Sequence, residues 1–73
     1  MQLRIPTWHR SNGEIVSCTE KIKVMRENIE ELEQTIQDVY EDALLMDVDS
    51  QQIKQFLIQM IQNLESPYQD DNL

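Results

Sequence analysis

The sequence has little of what catalysis or covalent cross-linking requires. It contains one cysteine, one histidine and one glycine. A lone cysteine excludes a disulfide within the chain and a cysteine-based metal cluster, and a phosphate-binding loop needs several glycines. His9 and Cys18 lack a third group that would orient them as base and nucleophile. We therefore predict that the protein is not an enzyme, and that it has no cofactor and no catalytic or metal site.

Long apolar runs are also missing. A membrane-spanning helix needs about 20 consecutive apolar residues, and the N-terminus lacks the apolar core of a signal peptide. Together with the unpaired Cys18, these features predict a cytoplasmic protein that makes no contact with membranes. Its 73 residues allow one small domain at most, because a chain of this size can close only one hydrophobic core.

Positive charge is scarce, with six Lys and Arg against 14 Asp and Glu, for a net charge of −8. This balance argues against nucleic-acid binding, which needs a surplus of basic residues on the contacting face, and it favours a basic protein partner. The charge is uneven, however, because residues 1–26 hold five of the six basic side chains. An alternative hypothesis is therefore a nucleic-acid-linked regulator that uses basic N-terminal ribbons.

Residues 1–17 show no helical periodicity and predict a short β-ribbon. Ser11-Asn12-Gly13 lies between two short segments that are compatible with strands, and Asn-Gly in this context favours a β-hairpin with a type I′ turn. Trp, His and Arg beside such a turn are candidates for partner contact, because Trp and Arg are enriched in binding hot spots. Packing of the Trp into the core is the competing interpretation. These candidates are Trp8, His9 and Arg10.

A long helix is predicted over residues 18–46, with Ser17 and Glu20 forming a capping box at its start. Its apolar residues alternate in steps of three and four, which is the heptad pattern of a helix that packs against another helix. The seam comprises Ile22, Met25, Ile29, Leu32, Ile36, Val39, Ala43 and Met46. The predicted dimer interface comprises Ile22, Met25, Ile29, Leu32, Ile36 and Val39.

A second helix is predicted over residues 50–66, with Asp49 as its N-terminal cap and Pro67 as its stop. Its apolar positions form a broad stripe, and residues 67–73 follow as a frayed tail. The short link favours an antiparallel two-helix hairpin. Because the first helix is longer than the second, its N-terminal third needs cover from the β-ribbon or from a second chain, and the heptad spacing favours a second copy.

The opening of the chain resembles that of short bacterial proteins of uncharacterised function. The residues concerned are Ile5-Pro6-Thr7-Trp8, the turn Ser11-Asn12-Gly13 and the stretch Ser17-Cys18-Thr19-Glu20-Lys21-Ile22-Lys23-Val24. The likeness covers chiefly the first third of the chain and extends loosely through Glu41-Asp42-Ala43. It implies a bacterial cytosolic setting and transfers no activity or site.

The sequence as a whole predicts a mainly α protein of one domain, with a short N-terminal β-hairpin followed by an antiparallel two-helix hairpin. We expect it to form a dimeric helical bundle through the seam of the first helix. The predicted function is a protein–protein interaction module, such as an adaptor, regulator or assembly factor.

Overall fold

The computed structural model describes residues 5–68, and this part of the chain is mainly helical. Helix α1 spans Thr19–Leu45 and helix α2 spans Ser50–Gln62. The chain divides into two compact units, Met1–Asp38 and Val39–Leu73. The first unit contains the N-terminal segment and most of α1, and the second contains the end of α1 and all of α2.

The predicted N-terminal β-hairpin is not supported, because no strand forms within the described residues 5–68. A single antiparallel bridge joins His9 and Ile15. It is flanked by two hydrogen bonds, from the amide of Arg10 to the carbonyl of Glu14 and from the amide of Val16 to the carbonyl of Trp8. The pairing can lengthen only away from the turn. In the segment before the turn, Pro6 has no amide hydrogen to donate. In the segment after the turn, α1 begins at Thr19, so the paired region stays too short to form strands.

The turn itself is present in a different form from the one expected. The amide of Gly13 donates to the carbonyl of Arg10 at 2.9 Å, and Gly13 has a φ of 91°. Asn12 is not among the residues with positive φ, whereas a type I′ turn would need positive φ at both central positions. The geometry is that of a type I turn followed by a glycine in a bulge, which adds one residue to the loop. The Asn12 side chain stabilises it by accepting from the Glu14 amide at 3.0 Å.

Helix α1 begins one residue later and ends one residue earlier than the predicted range. The carbonyl of Cys18 accepts the first helical hydrogen bond, from the amide of Ile22 at 3.0 Å. The cap position therefore lies at Cys18, one residue beyond the predicted Ser17. The rest of α1 is amphipathic. Through its seven turns an apolar stripe runs along one side and Glu-rich residues lie on the opposite side.

The C-terminus of α1 closes through a Schellman motif. The amide of Val48 donates to the carbonyl of Ala43 at 2.9 Å, and the amide of Asp47 donates to the carbonyl of Leu44 at 3.0 Å. Asp47 takes the left-handed conformation that this motif requires, with a φ of 63°. These two bonds satisfy carbonyls that the helix end would otherwise leave open, and they turn the chain sharply out of α1.

Asp49 caps α2, as predicted. Its carboxylate accepts from the amide of Gln52 at 3.0 Å, and its carbonyl accepts from the amide of Ile53. Val48 and Ile53 occupy the two positions of a hydrophobic staple across this cap, and both are half-buried. The capped start follows the Schellman motif directly, so the connection between the helices is only four residues long.

Helix α2 is shorter than its predicted range of 50–66. Asn63 forms the C-terminal cap, with its amide bonded to the carbonyls of Gln59 and Ile61. The helix therefore ends before Pro67 can terminate it. The Ser66 hydroxyl then accepts from the amide of Tyr68 at 3.1 Å, which makes a local turn around the proline. Of the predicted tail at 67–73, residues 69–73 lie outside the described residues.

In the second unit the last turns of α1 pack with α2, so the predicted pairing of two helices is confirmed. Ala43 is the one buried residue of the described part of the chain, with 8% of its surface exposed. The Lys54 ammonium lies 5.4 Å from the centre of the Tyr40 ring. This contact joins residues 14 positions apart, so α2 returns alongside the end of α1. Over residues 5–68, neither helix has the length and apolar character needed to cross a membrane.

Candidate interaction surface

The predicted seam of α1 separates into two rows that differ in burial. Residues Ile22, Ile29 and Ile36 are half-buried, and Ala43, seven positions further on, is buried. The other row is exposed: Met25 at 44%, Leu32 at 51% and Val39 at 41% of their surface. A helical side chain seven residues from another lies on the same side of the helix. One side of the heptad stripe is therefore more covered than the other.

We call the exposed residues Met25, Leu32 and Val39 the α1 row. Met25 and Leu32 belong to the first unit, and Val39 belongs to the second. In the first unit, Met25 borders a shallow groove of 400 Å³ that is lined by Glu20, Lys21, Val24, Met25 and Asn28. Val24 adds a further exposed apolar side chain next to Met25. The start of the α1 row is thus an open apolar surface rather than a closed pocket.

The N-terminal segment packs against the first turns of α1. Trp8 and Val16 are half-buried, and together with Lys21, Ile22 and Met25 they line a cleft of 220 Å³. The segment thus covers part of the surface for which the sequence favoured a second copy. Ile22 is half-buried in this arrangement, whereas Met25 lines the cleft and keeps 44% of its surface exposed. The protein's own N-terminal segment therefore supplies one of the two kinds of cover that the sequence predicted.

The structure separates the three predicted partner-contact residues. Trp8 faces the cleft as part of the packing between the N-terminal segment and α1, while His9 and Arg10 are exposed. The indole nitrogen of Trp8 is buried and lacks a hydrogen-bond partner. A buried donor without a partner is destabilising. Because that nitrogen has no contact with solvent, it is not a group that an incoming partner can reach without rearrangement.

Charge is divided along α1 in the way the sequence predicts. The basic residues Lys21, Lys23 and Arg26 are exposed near its start, and the acidic residues Glu27, Glu30 and Glu31 are exposed further along. Cations near a helix N-terminus are not favoured by the helix dipole. Arg4, the other basic residue of the N-terminal segment beside Arg10, lies outside the described residues.

His9 and Cys18 are the two residues that the sequence analysis weighed as base and nucleophile. His9 and Cys18 are both exposed. Across residues 5–68, no three or more His, Cys, Asp or Glu side chains are grouped to hold a metal ion.

Helix α2 contributes an exposed surface that the sequence pattern did not distinguish. Its broad apolar stripe was predicted, but not which part of the stripe stays uncovered. Ile53 and Leu57 are half-buried, whereas Phe56 and Met60 are exposed, and so is Leu64 just after the helix. A groove of 450 Å³ runs beside Phe56, lined also by Val48, Gln52, Ile53, Gln55 and Gln59. Since Phe56 and Met60 are one helical turn apart, they form a continuous edge of the stripe.

No protein-family model, curated protein or solved structure matches the chain. The resemblance of the opening segment to short bacterial proteins stays a prediction.

Proposed function

We propose that the protein is a self-associating protein–protein interaction module that pairs with a second copy through the α1 row. One observation carries this proposal. Among residues 5–68 only Ala43 is buried, while 14 large apolar side chains are exposed. Scattered apolar residues are normal on a protein surface. Within residues 5–68, however, they accompany a single buried residue, so a large part of the apolar surface is still accessible to a partner.

A second chain supplies the missing burial. Small domains reach stability with difficulty, and association is one of the usual ways to make up the deficit. The spacing of the α1 row supports a helix as the partner, because a repeat of seven residues keeps the same side of two helices in contact. Met25, Leu32 and Val39 follow this spacing without interruption.

The strength of the association can be bounded. Full burial of a Leu or Met side chain contributes about 1.5–3 kcal/mol, so covering the exposed half of each gives about 1 kcal/mol. The α1 rows of two chains hold six such side chains, which together contribute roughly 6 kcal/mol. Loss of translational and rotational freedom opposes this gain by at least about 4 kcal/mol. The α1 row therefore supports a weak, concentration-dependent pair, unless neighbouring side chains add to the contact.

Pairing through the α1 row leaves the acidic side of the helix in solvent. Glu27, Glu30 and Glu31 are exposed there, and their charge suits a basic protein partner through electrostatic complementarity. The chain's net charge of −8 opposes the alternative of a nucleic-acid ligand. An adaptor, regulator or assembly factor combines these two properties, self-association and an acidic outer face.

The test is molar mass by light scattering with size-exclusion chromatography, at loading concentrations from about 1 µM to 1 mM, the range over which weak pairs dissociate. We expect the mass to rise above the 8.7 kDa of one chain as concentration increases. Leu32→Glu should suppress that rise, because it places a charge within the contact. Gln34→Glu is a stringent control, because it adds the same charge on the polar side of α1 and replaces the 2.9 Å hydrogen bond from the Gln34 side chain to Asp38 by a like-charge pair, without touching the contact. A wild-type mass of one chain at every concentration would refute the proposal.

A further inference from the structure

The turn of the N-terminal segment contains an asparagine, Asn12, directly before the chain's only glycine, Gly13. Both residues are exposed. Asparagine is a thermolabile residue. Its carboxamide is attacked most readily by the amide nitrogen of a following glycine, because glycine has no side chain to shield that nitrogen. A Cβ placed on Gly13 would meet no heavy atom of residues 5–68 within 4 Å, apart from its chain neighbours. Water therefore reaches a reactive pair of residues.

The reaction is deamidation, with the Gly13 amide nitrogen as nucleophile and water as the second reactant. After hydroxide removes its proton, this nitrogen forms a bond to Cγ of Asn12. The Cγ–Nδ2 bond breaks, and Nδ2 takes a proton from water and leaves as ammonia. Water then opens the succinimide ring at one of its two carbonyl carbons, and the ring nitrogen recovers a proton. Opening at Cγ gives aspartate, and opening at the backbone carbonyl gives isoaspartate.

In the closed turn, hydrogen bonds hold both reacting groups. The amide of Gly13 donates to the carbonyl of Arg10 at 2.9 Å, so its proton is not free to be removed. Oδ1 of Asn12 accepts from the Glu14 amide at 3.0 Å, and Nδ2 donates to the Glu14 carboxylate at 2.8 Å. Ring closure has to release the nitrogen and the carboxamide together. The reaction therefore proceeds from an open form of the turn.

The pairing behind the turn is short, so the open form is accessible. Within residues 5–68 a single bridge, between His9 and Ile15, connects the two halves of the N-terminal segment. Residues 9–15 are all exposed. A region with few backbone hydrogen bonds, most of them in contact with solvent, opens locally without unfolding the rest of the protein. The structure thus slows the reaction of Asn12 but does not prevent it.

We propose that Asn12 is a modification site, at which deamidation through Gly13 breaks the turn and frees the N-terminal segment from α1. A carboxylate at residue 12 has no N–H for the Glu14 carboxylate and places a like charge beside it. Isoaspartate also adds one carbon to the backbone, which displaces the Gly13 amide from the Arg10 carbonyl. It is the more disruptive product, because aspartate retains an acceptor for the Glu14 amide.

The loss of the turn acts on the packing of the N-terminal segment. The turn joins the two parts of the segment that carry Trp8 and Val16, and these two residues line the cleft against α1 together with Ile22. The amide of Val16 donates to the carbonyl of Trp8 at 2.9 Å, so the two parts stay together only while the turn is closed. Because ammonia leaves, the change is not reversed when the turn closes again. This inference does not depend on self-association.

Peptide mass spectrometry after incubation of the full chain in mildly alkaline buffer tests the site. We expect Asn12 to gain the mass that separates a carboxyl from a carboxamide group. Asn28 and Asn63, which precede Ile29 and Leu64, are internal references that should stay unchanged. In urea, where the turn is open, Asn12 should react about tenfold faster. An unmodified Asn12 in both solutions would overturn the proposal, and equal rates in the two solutions would refute the role of the turn.

Two variants of Glu14 test the hydrogen bond to the Asn12 carboxamide. Glu14→Ala removes the acceptor of Nδ2, whereas Glu14→Gln keeps an acceptor oxygen, and both variants lose the charge. Deamidation of Asn12 should therefore be faster in Glu14→Ala than in Glu14→Gln, by a factor of about two to ten. Equal rates for the two variants would refute the protection by this bond.

Fluorescence tests the release of the segment, because Trp8 is the only tryptophan and is half-buried. After Asn12 has reacted, we expect Trp8 emission at longer wavelength and stronger quenching by acrylamide. Asn12→Asp should show a smaller shift, since its backbone is intact. Asn12→Ser has no carboxamide, so its spectrum should not change during the same incubation. An unchanged Trp8 spectrum in the deamidated protein would overturn the proposed release.

Discussion

The amide of Val48 donates a hydrogen bond of 2.9 Å to the carbonyl of Ala43. Ala43 is the one buried residue of the described chain, and Val48 is half-buried. In a Schellman motif the residues at these two positions commonly make an apolar contact. The end of α1, the start of the connection and the small core of the second unit therefore depend on the same few residues.

Asp47→Gly should stabilise the protein. Asp47 holds a φ of 63° in this motif, and a residue with a side chain pays about 1 kcal/mol for the left-handed conformation where glycine does not. We expect the free energy of unfolding to rise by about 1 kcal/mol or slightly less, since aspartate tolerates this region better than most residues. Urea denaturation followed by circular dichroism measures the change.

Asp47→Ala serves as the opposite control for the same position. Alanine has the steric penalty of a side chain without the short polar group that helps aspartate in this conformation. It should lower the stability relative to the wild type. Equal stabilities for the glycine and alanine variants would show that the backbone at residue 47 is not left-handed in solution.

Asp49→Ala should destabilise the protein by about 1 kcal/mol, the usual cost of losing an N-terminal cap. The Asp49 carboxylate accepts from the amide of Gln52 at 3.0 Å, and alanine would leave that amide without its partner. Asp49→Asn retains an acceptor oxygen and should change the stability by a few tenths of a kcal/mol at most. If the alanine and asparagine variants unfold at the same urea concentration, the cap does not contribute as the structure indicates.

The helices could be predicted because their signals are local. The ends of α1 fall within one residue of the predicted range, and Asp49 caps α2 as the sequence indicates. The predicted strands failed for a physical reason. Pairing between strands depends on many hydrogen bonds along a ladder, and a segment that begins at a proline and ends at a helix leaves room for very few.

The division of the heptad stripe was beyond sequence reasoning. Met25 and Ile29 are both apolar members of one seam, yet Met25 is exposed and Ile29 half-buried. Periodicity locates the stripe on the helix, but the side of the stripe that is covered depends on tertiary packing. Tyr40, which lies beside the seam and is half-buried, widens the stripe in the sequence and was a partial signal of this asymmetry.

Trp8→Phe should leave the stability unchanged or raise it slightly. The indole nitrogen of Trp8 is buried without a hydrogen-bond partner, and replacement of an unpaired buried donor by an apolar group removes a desolvation penalty. Trp8→Ala should lower the stability by about 2 kcal/mol, below the usual cost of removing a fully buried aromatic side chain, because Trp8 is only half-buried. Urea denaturation followed by circular dichroism compares the two. A Phe variant as unstable as the Ala variant would mean that the indole N–H is hydrogen-bonded in solution.

Ile29→Ala and Leu32→Ala should differ in how their effects depend on concentration. Ile29 is half-buried within the single chain, whereas Leu32 has 51% of its surface exposed. Truncation of Ile29 removes packing inside the chain, at about 2 kcal/mol for a partly covered site, so it should lower Tm at every protein concentration. Truncation of Leu32 removes surface that only a second chain covers. Association makes Tm rise with protein concentration, and Leu32→Ala should flatten that rise while Ile29→Ala preserves it.

Thermal unfolding by circular dichroism over about a hundredfold range of concentration gives Tm and its dependence on protein concentration. If Tm depends on protein concentration in the same way for the two variants, self-association does not use Leu32 more than Ile29. The exposed row would then have to be assigned to a different partner.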